Sequence, residues 1–157
     1  MAFQNLENKL LYVFAVLTNP SDLTTGYIVG SVLSFTNLCK TIGGLAAYRY
    51  ETQSDLLDPV NEIVQRSLKI QDERNTYIHS YYPSMYLEDG LEVIARIKHK
   101  INKQGYRPTL EDHDPEKIKA LTSQIQLDVA LRIKELIFEL RDRGLLGHDS
   151  PDMLEFL

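Results

Sequence analysis

The chain has 157 residues, 43% of them hydrophobic and 25% charged, enough for one domain with a real core and too few for two of comfortable size. A formal net charge of −5 at pH 7 argues against a protein that coats nucleic acid by bulk electrostatics, while leaving room for a local basic site. Cys39 is the single cysteine, which excludes an internal disulfide framework and a cysteine-built zinc site and fits a reducing cytoplasm.

Apolar residues recur at helical spacing in four places. Leu10, Phe14 and Leu17 share a face and predict a first helix that stops near Asn19-Pro20. Its apolar stretch is preceded by Glu7 and Lys9 and followed by no clean small-residue cleavage site, so it reads as a buried helix rather than a signal peptide. No run approaches the ~18 apolar residues that span a bilayer, and a soluble protein is expected. Ser21 or Asp22 then caps a long second helix through Ile28, Val32, Phe35, Leu38 and Ile42 towards Tyr50. Gly30, Gly43 and Gly44 weaken it, allow close approach of a neighbouring helix, and open the option of a break near Gly43-Gly44.

Asp58-Pro59 fits a cap and first helical position for a third helix, with Val60, Ile63, Val64 and Ile70 as its apolar stripe and an end near Tyr82, ahead of Pro83. Residues 84–112 change character. Asp89-Gly90 is a turn signal, and from Leu91 to Ile101 apolar residues fill alternate positions while Arg96, Lys98 and Lys100 alternate with them. That period of two favours a β-hairpin turning at Lys103-Gln104-Gly105, although Ile94, Ile97 and Ile101 also fit a helix. The basic positions read either as solvated strand decoration or as contacts for an RNA backbone. Asp114-Pro115-Glu116 opens the last helix, striped by Ile118, Leu121, Ile125, Val129, Ile133, Leu136, Ile137 and Leu140 and stopped by Gly144; the tail over 148–157 is short and frayed.

The sequence holds no internal repeat, glycine-rich phosphate loop, metal-binding helix motif or nucleophile elbow. His79, His99, His113 and His148 are scattered without ligand spacing, so no metal site and no cofactor are expected. Asp55, Asp58 and Glu62 cluster, but at a helix start such acids complement the helix dipole.

The stretch that looks most like chemistry is Arg74-Asn75-Thr76-Tyr77-Ile78-His79-Ser80-Tyr81. An arginine followed by a polar residue, and by a histidine after four to six intervening positions, here four, resembles the motif of the HEPN superfamily, compact helical domains that include metal-independent ribonucleases. The His79-Ser80-Tyr81 extension resembles that of the HepT-type toxins. Arg107 to His113, Arg141 to His148 and Arg143 to His148 also satisfy the spacing, but only Arg74 and His79 lie on a core-forming helix. The fold expected is mainly α, an antiparallel HEPN-like bundle of about four helices in a single domain over 1–147, with a hairpin insertion at about 84–112.

The resemblance implies an endoribonuclease that forms a 2′,3′-cyclic phosphate without a metal, as a toxin or antiviral defence component with an antitoxin partner. His79 would move protons at the ribose 2′-hydroxyl and the leaving 5′-oxygen, Arg74 would hold the phosphate, and Asn75 would orient His79 or donate to the phosphate. Tyr81, with Ser80 beside it, is the auxiliary position, and the motif tyrosine of HepT-type relatives can be nucleotidylated. On a helix, Asn75 and His79 share a face, whereas Arg74 lies about 140° from His79 and must reach round. A symmetric homodimer would bring two such helix ends into one cleft. The ordinary structural reading pairs Arg74 with Asp72, Glu73 or Glu62 and leaves His79 as a helix-terminal cation. The matching alternative function is a non-catalytic helical dimer that binds a protein or nucleotide.

Overall fold

The structure is a computed structural model that describes residues 2–78, 84–86, 92–102, 105–112 and 115–146. It is mainly helical, as the sequence patterning leads one to expect. Two compact units are distinguished, Met1–Ile70 with Thr122–Leu157, and Gln71–Leu121.

The first unit is a helical bundle organised on α1 (Ala2–Thr18). Tyr12 to Leu17 are all buried, so no side of that half of the helix faces water. Leu6, Leu10 and Leu17 are at most 1% exposed, each worth about 1.5–3 kcal/mol of hydrophobic burial. Around α1 pack α2 (Leu23–Ser31), α3 (Phe35–Arg49), a π-helical segment (Gln124–Val129) and the last helix over Ala130–Asp142. Arg49 donates to the Thr18 carbonyl at 3.0 Å and so ties the C-terminus of α3 to that of α1.

The expected long second helix is in fact two. Asp22 caps α2 by accepting from the Thr24 amide at 3.0 Å, and Ser34 caps α3 by accepting from the Asn37 amide. The break falls at residues 32–34, not at Gly43-Gly44, which lie inside α3 with open space where a Cβ would stand. The Ser34 hydroxyl supplies the new helix start that a continuous helix would not need. The break also separates two packing demands, since Gly26 and Gly30 press against α1 while Leu38, Cys39 and Ile42 are buried in their own right. Ile28 and Val32, expected in the buried stripe, are 65% and 81% exposed.

Helix α4 (Ser54–Ile78) starts a turn earlier than Asp58-Pro59 suggests. The Leu56 and Leu57 amides both donate to the Gln53 carbonyl at 3.0 Å, and burial of Leu56 adds an apolar turn ahead of Pro59. Pro59 is therefore inside the helix, where it cannot donate to the Asp55 carbonyl. The stripe Leu56, Val60, Ile63, Val64, Ser67 and Ile70 is buried as spaced. The expected end near Tyr82 lies outside the described residues.

The final helical stretch comprises α5 (Pro115–Ser123), the π-helical segment and α6 (Ala130–Asp142). Leu121, Ile125, Val129, Ile133, Leu136, Ile137 and Leu140 are buried as expected, whereas Ile118 is 38% exposed. Ile125, Val129 and Ile133 are spaced by four, which drifts round an α-helix; the wider π turn, with the Ala130 amide donating to Ile125, keeps them closer to one line. Gly144 ends the helix at φ 68°, with its amide on the Arg141 carbonyl.

The second unit holds the end of α4 and a three-stranded antiparallel sheet, β1 (Ser84–Tyr86), β2 (Glu92–Asn102) and β3 (Gly105–Asp112), in that order. Between the two sequence readings of 92–102, strand prevails over helix, and β2 pairs with β3 from Ala95↔Asp112 to Asn102↔Gly105. The turn positions 103 and 104 lie outside the described residues. β1, which pairs Ser84 with Ile94, was not expected.

Candidate functional site

The arginine of the motif stands where α4 leaves its core. Ile70 is the last buried residue of the stripe, and Gln71, Glu73, Arg74, Asn75, Thr76 and Tyr77 are all half-buried. Half-buried positions of this kind keep their side chains within reach of a ligand without the desolvation cost of full burial. The Arg74 Nη1 donates to Asn75 Oδ1 at 3.5 Å, at the outer limit of a hydrogen bond. Thr76 Oγ1 donates to the Asp72 carbonyl at 2.9 Å, which occupies that hydroxyl locally. His79, Ser80 and Tyr81 lie outside the described residues, as do the decoy histidines His113 and His148.

Glu62, one of the acids offered as a partner for Arg74, belongs to a closed ring of ion pairs in the first unit. It binds Arg66 through Oε1 at 2.7 Å and Arg132 through Oε2 at 2.8 Å. Asp128 completes the ring by pairing with Arg66 and, at 3.3 Å, with Arg132. The hydrogen bond that Arg66 donates to the Glu62 carboxylate raises the Arg66 pKa above its ordinary value. Glu62 therefore joins α4 to α6, and Arg66 joins α4 to the π-helical segment through Asp128, whereas the place of Glu62 near a helix start suggested a role toward the helix dipole. The signal was present as two i,i+4 pairs, Glu62–Arg66 and Asp128–Arg132; their pairing with one another was not.

A second charged cluster lies at the start of α4. Arg143 Nη2 contacts Asp55 Oδ2 and Glu139 Oε1, each at 2.6 Å. The hydrogen bond from Arg143 holds the Asp55 carboxyl below its usual range. Arg143, which in the sequence only offers a second arginine–histidine spacing beside the Gly144 stop, thus fastens that stop to α4. Between the two clusters lies an open groove of about 430 Å³ with Asp58, Glu62, Glu135 and Glu139 opposed by Arg132. Arg132 pairs with Glu62 within it, Glu139 pairs with Arg143, and none of the motif residues lines it.

Arg96, Lys98 and Lys100 occupy alternate positions of β2, as the period of two predicts. Their register partners on β3 are Glu111, Thr109 and Arg107. Among the described residues, no group of three histidine, cysteine or acidic side chains has the geometry to hold a metal ion, and no helix is long and apolar enough to cross a membrane. Compared with protein-family models, with curated proteins and with solved structures, the chain finds no match.

Proposed function

We propose that the protein is a HEPN-type endoribonuclease that cleaves RNA through a 2′,3′-cyclic phosphate, without a metal, as a homodimer. The observation that carries this reading is the last described stretch of α4, where Arg74 and Asn75 stand half-buried beyond the core stripe with Arg74 Nη1 3.5 Å from Asn75 Oδ1. The sequence places His79 four residues after Asn75.

In the reaction, His79 takes the proton of the ribose 2′-hydroxyl, the 2′-oxygen attacks phosphorus, and the 5′-oxygen leaves with a proton returned by a protonated imidazole. Arg74 grips two phosphate oxygens and offsets the charge that develops on them. Asn75 positions the guanidinium or the imidazole through its amide. Tyr81 offers a hydroxyl or a stacking ring to the substrate, and is the place where an antitoxin enzyme would attach a nucleotide.

A homodimer is part of this reading because one chain carries one copy of the motif. Its support is the outer surface of α2, a helix without a charged residue, on which Ile28, Val29 and Val32 are 65%, 46% and 81% exposed. Such a surface meets a copy of itself without stripping charges of water. The discriminating assay is cleavage of a labelled single-stranded RNA in EDTA by wild type and His79→Ala, with circular dichroism as the folding control. Cleavage lost with the fold intact supports the ribonuclease. Absence of cleavage by folded wild-type dimer would favour the non-catalytic helical dimer that binds a protein or nucleotide.

A further inference from the structure

Charge is segregated in this chain to a degree that its net value conceals. Between residues 96 and 110 stand Arg96, Lys98, Lys100, Lys103 and Arg107, five of the 17 lysines and arginines, and not one of the 22 acids. The rest of the chain is correspondingly more acidic than −5 suggests. The pairing of β2 with β3 folds this run back on itself instead of dispersing it, and sets Lys100 directly opposite Arg107. Like charges at directly opposed positions weaken a strand pair. At the other end of the ribbon the register partner of Arg96 is the acidic Glu111. Of the paired positions, the register thus opposes two basic residues, Lys100 and Arg107, on the side of the ribbon nearer Asn102 and Gly105, an arrangement that an anionic ligand favours.

The spacing suits a polyanion rather than a single anion. Arg96, Lys98 and Lys100 are successive alternate positions, about 6.8 Å apart along an antiparallel strand, comparable with the nucleotide step of an extended single strand. The alternation of a strand assigns such positions to one side of the ribbon. Ile97, which lies between them, is half-buried, in keeping with a ribbon that has one packed side. A single phosphate would need converging donors. A row of cations follows a backbone.

We propose that the β2–β3 ribbon is the arm that holds the phosphate backbone of a single-stranded RNA, with Lys98 and Lys100 in the row and Arg107, opposite Lys100, as a contact that the sequence pattern alone does not include. That the polyanion is RNA rests on the ribonuclease reading, and the ribbon and end of α4 belong to the same compact unit, Gln71–Leu121.

Binding and cleavage are measured separately so that the two readings can fail separately. In the full-length His79→Ala protein, anisotropy of a labelled oligouridine strand is followed across a salt series, with and without the triple change Lys98→Gln, Lys100→Gln and Arg107→Gln. Neutralising three backbone contacts should weaken binding roughly tenfold near 0.1 M salt and flatten the slope of log affinity against log salt by about 2. Neutralising Lys40 and Lys69, both exposed in the first unit, should change neither. Lys98→Gln alone, the milder change should the triple variant fail to fold, should flatten the slope by about 0.7. Unchanged affinity and slope in the folded ribbon variants would overturn the proposal whatever the cleavage assay shows. So would ribbon-dependent binding to phosphatidylserine vesicles with RNA binding unaffected. If the ribbon variants lose RNA binding while wild type cleaves nothing, the arm stands and the ribonuclease reading falls.

Discussion

Gly26 of α2 lies so close to α1 that a Cβ in its place would stand 2.4 Å from the Cα of Ala15. The neighbour is backbone and cannot rotate away, so Gly26→Ala must push the two helices apart. A destabilisation of about 1–3 kcal/mol is expected. Gly44 of α3 is the counter-case, exposed inside a helix with nothing within 4 Å of the place a methyl group would take. Gly44→Ala should stabilise by about 0.5–1 kcal/mol, because alanine loses less backbone entropy on helix formation. Urea denaturation of both variants, followed by circular dichroism, should give shifts of opposite sign. Equal shifts would mean that α2 does not pack this tightly.

The ring that joins Glu62, Arg66, Asp128 and Arg132 predicts non-additivity between residues far apart in sequence. A double-mutant cycle with Glu62→Gln and Arg132→Met should yield a coupling of about 0.2–1 kcal/mol, kept small by partial exposure and reduced further in 1 M salt. Additive effects at low salt would show that the two helices are not joined through this pair.

Asp55 and Arg143 make a pH-dependent contribution whose sign follows from the depressed carboxyl. A carboxyl held below its ordinary value of 3.8 binds protons more weakly in the folded state than in the unfolded chain. Its contribution is therefore fully present above that value and disappears as the pH falls through the folded value. The melting-temperature gap between wild type and Asp55→Asn should be open at neutral pH and close in acid below pH 3.8. A gap that widens in acid would reverse the sign. Arg143→Ala should lower stability at neutral pH while leaving RNA cleavage intact, since its partners are structural.

For the proposed chemistry, Arg74→Lys is the sharper variant. It keeps the charge but loses the planar two-point grip on phosphate and the guanidinium Nη1 contact with Asn75, so cleavage should fall by at least about 100-fold with little change in stability. His148→Ala, at a decoy position, should cleave like wild type. A lysine variant that retains full activity would remove Arg74 from the phosphate site.

Assembly can be tested without substrate. Ile28→Asp combined with Val32→Asp places charge on the exposed surface of α2 and should shift a dimer towards monomer in light scattering at tens of micromolar, with the helical content unchanged. A wild-type protein that is monomeric under the same conditions would remove the shared cleft from the mechanism.

The amino-acid sequence by itself determined what depends on local chemistry. Periodicity located the first helix, the buried stripe of α4 from Val60 to Ile70 and that of the last helix, because a helix in water must bury whatever apolar face it has. A cap at Ser21 or Asp22, Gly144 as a stop and a preference for strand over helix at 92–102 were legible for the same reason, since each follows from the conformational preferences of a few neighbouring residues. Tertiary structure decided what depends on partners distant in the chain. Ile28 and Val32 keep helical spacing with Phe35, yet the Ser34 cap breaks the helix and Gly26 and Gly30 take the inward positions, so close approach of α1 outweighs the aliphatic pattern. Glu62 meets Arg132, 70 residues on, and Arg143 reaches back to Asp55; no i,i+4 rule contains either contact. Arg107 joins Lys100 because strand register, set by pairing along the whole ribbon, brings together positions that the linear sequence leaves seven residues apart.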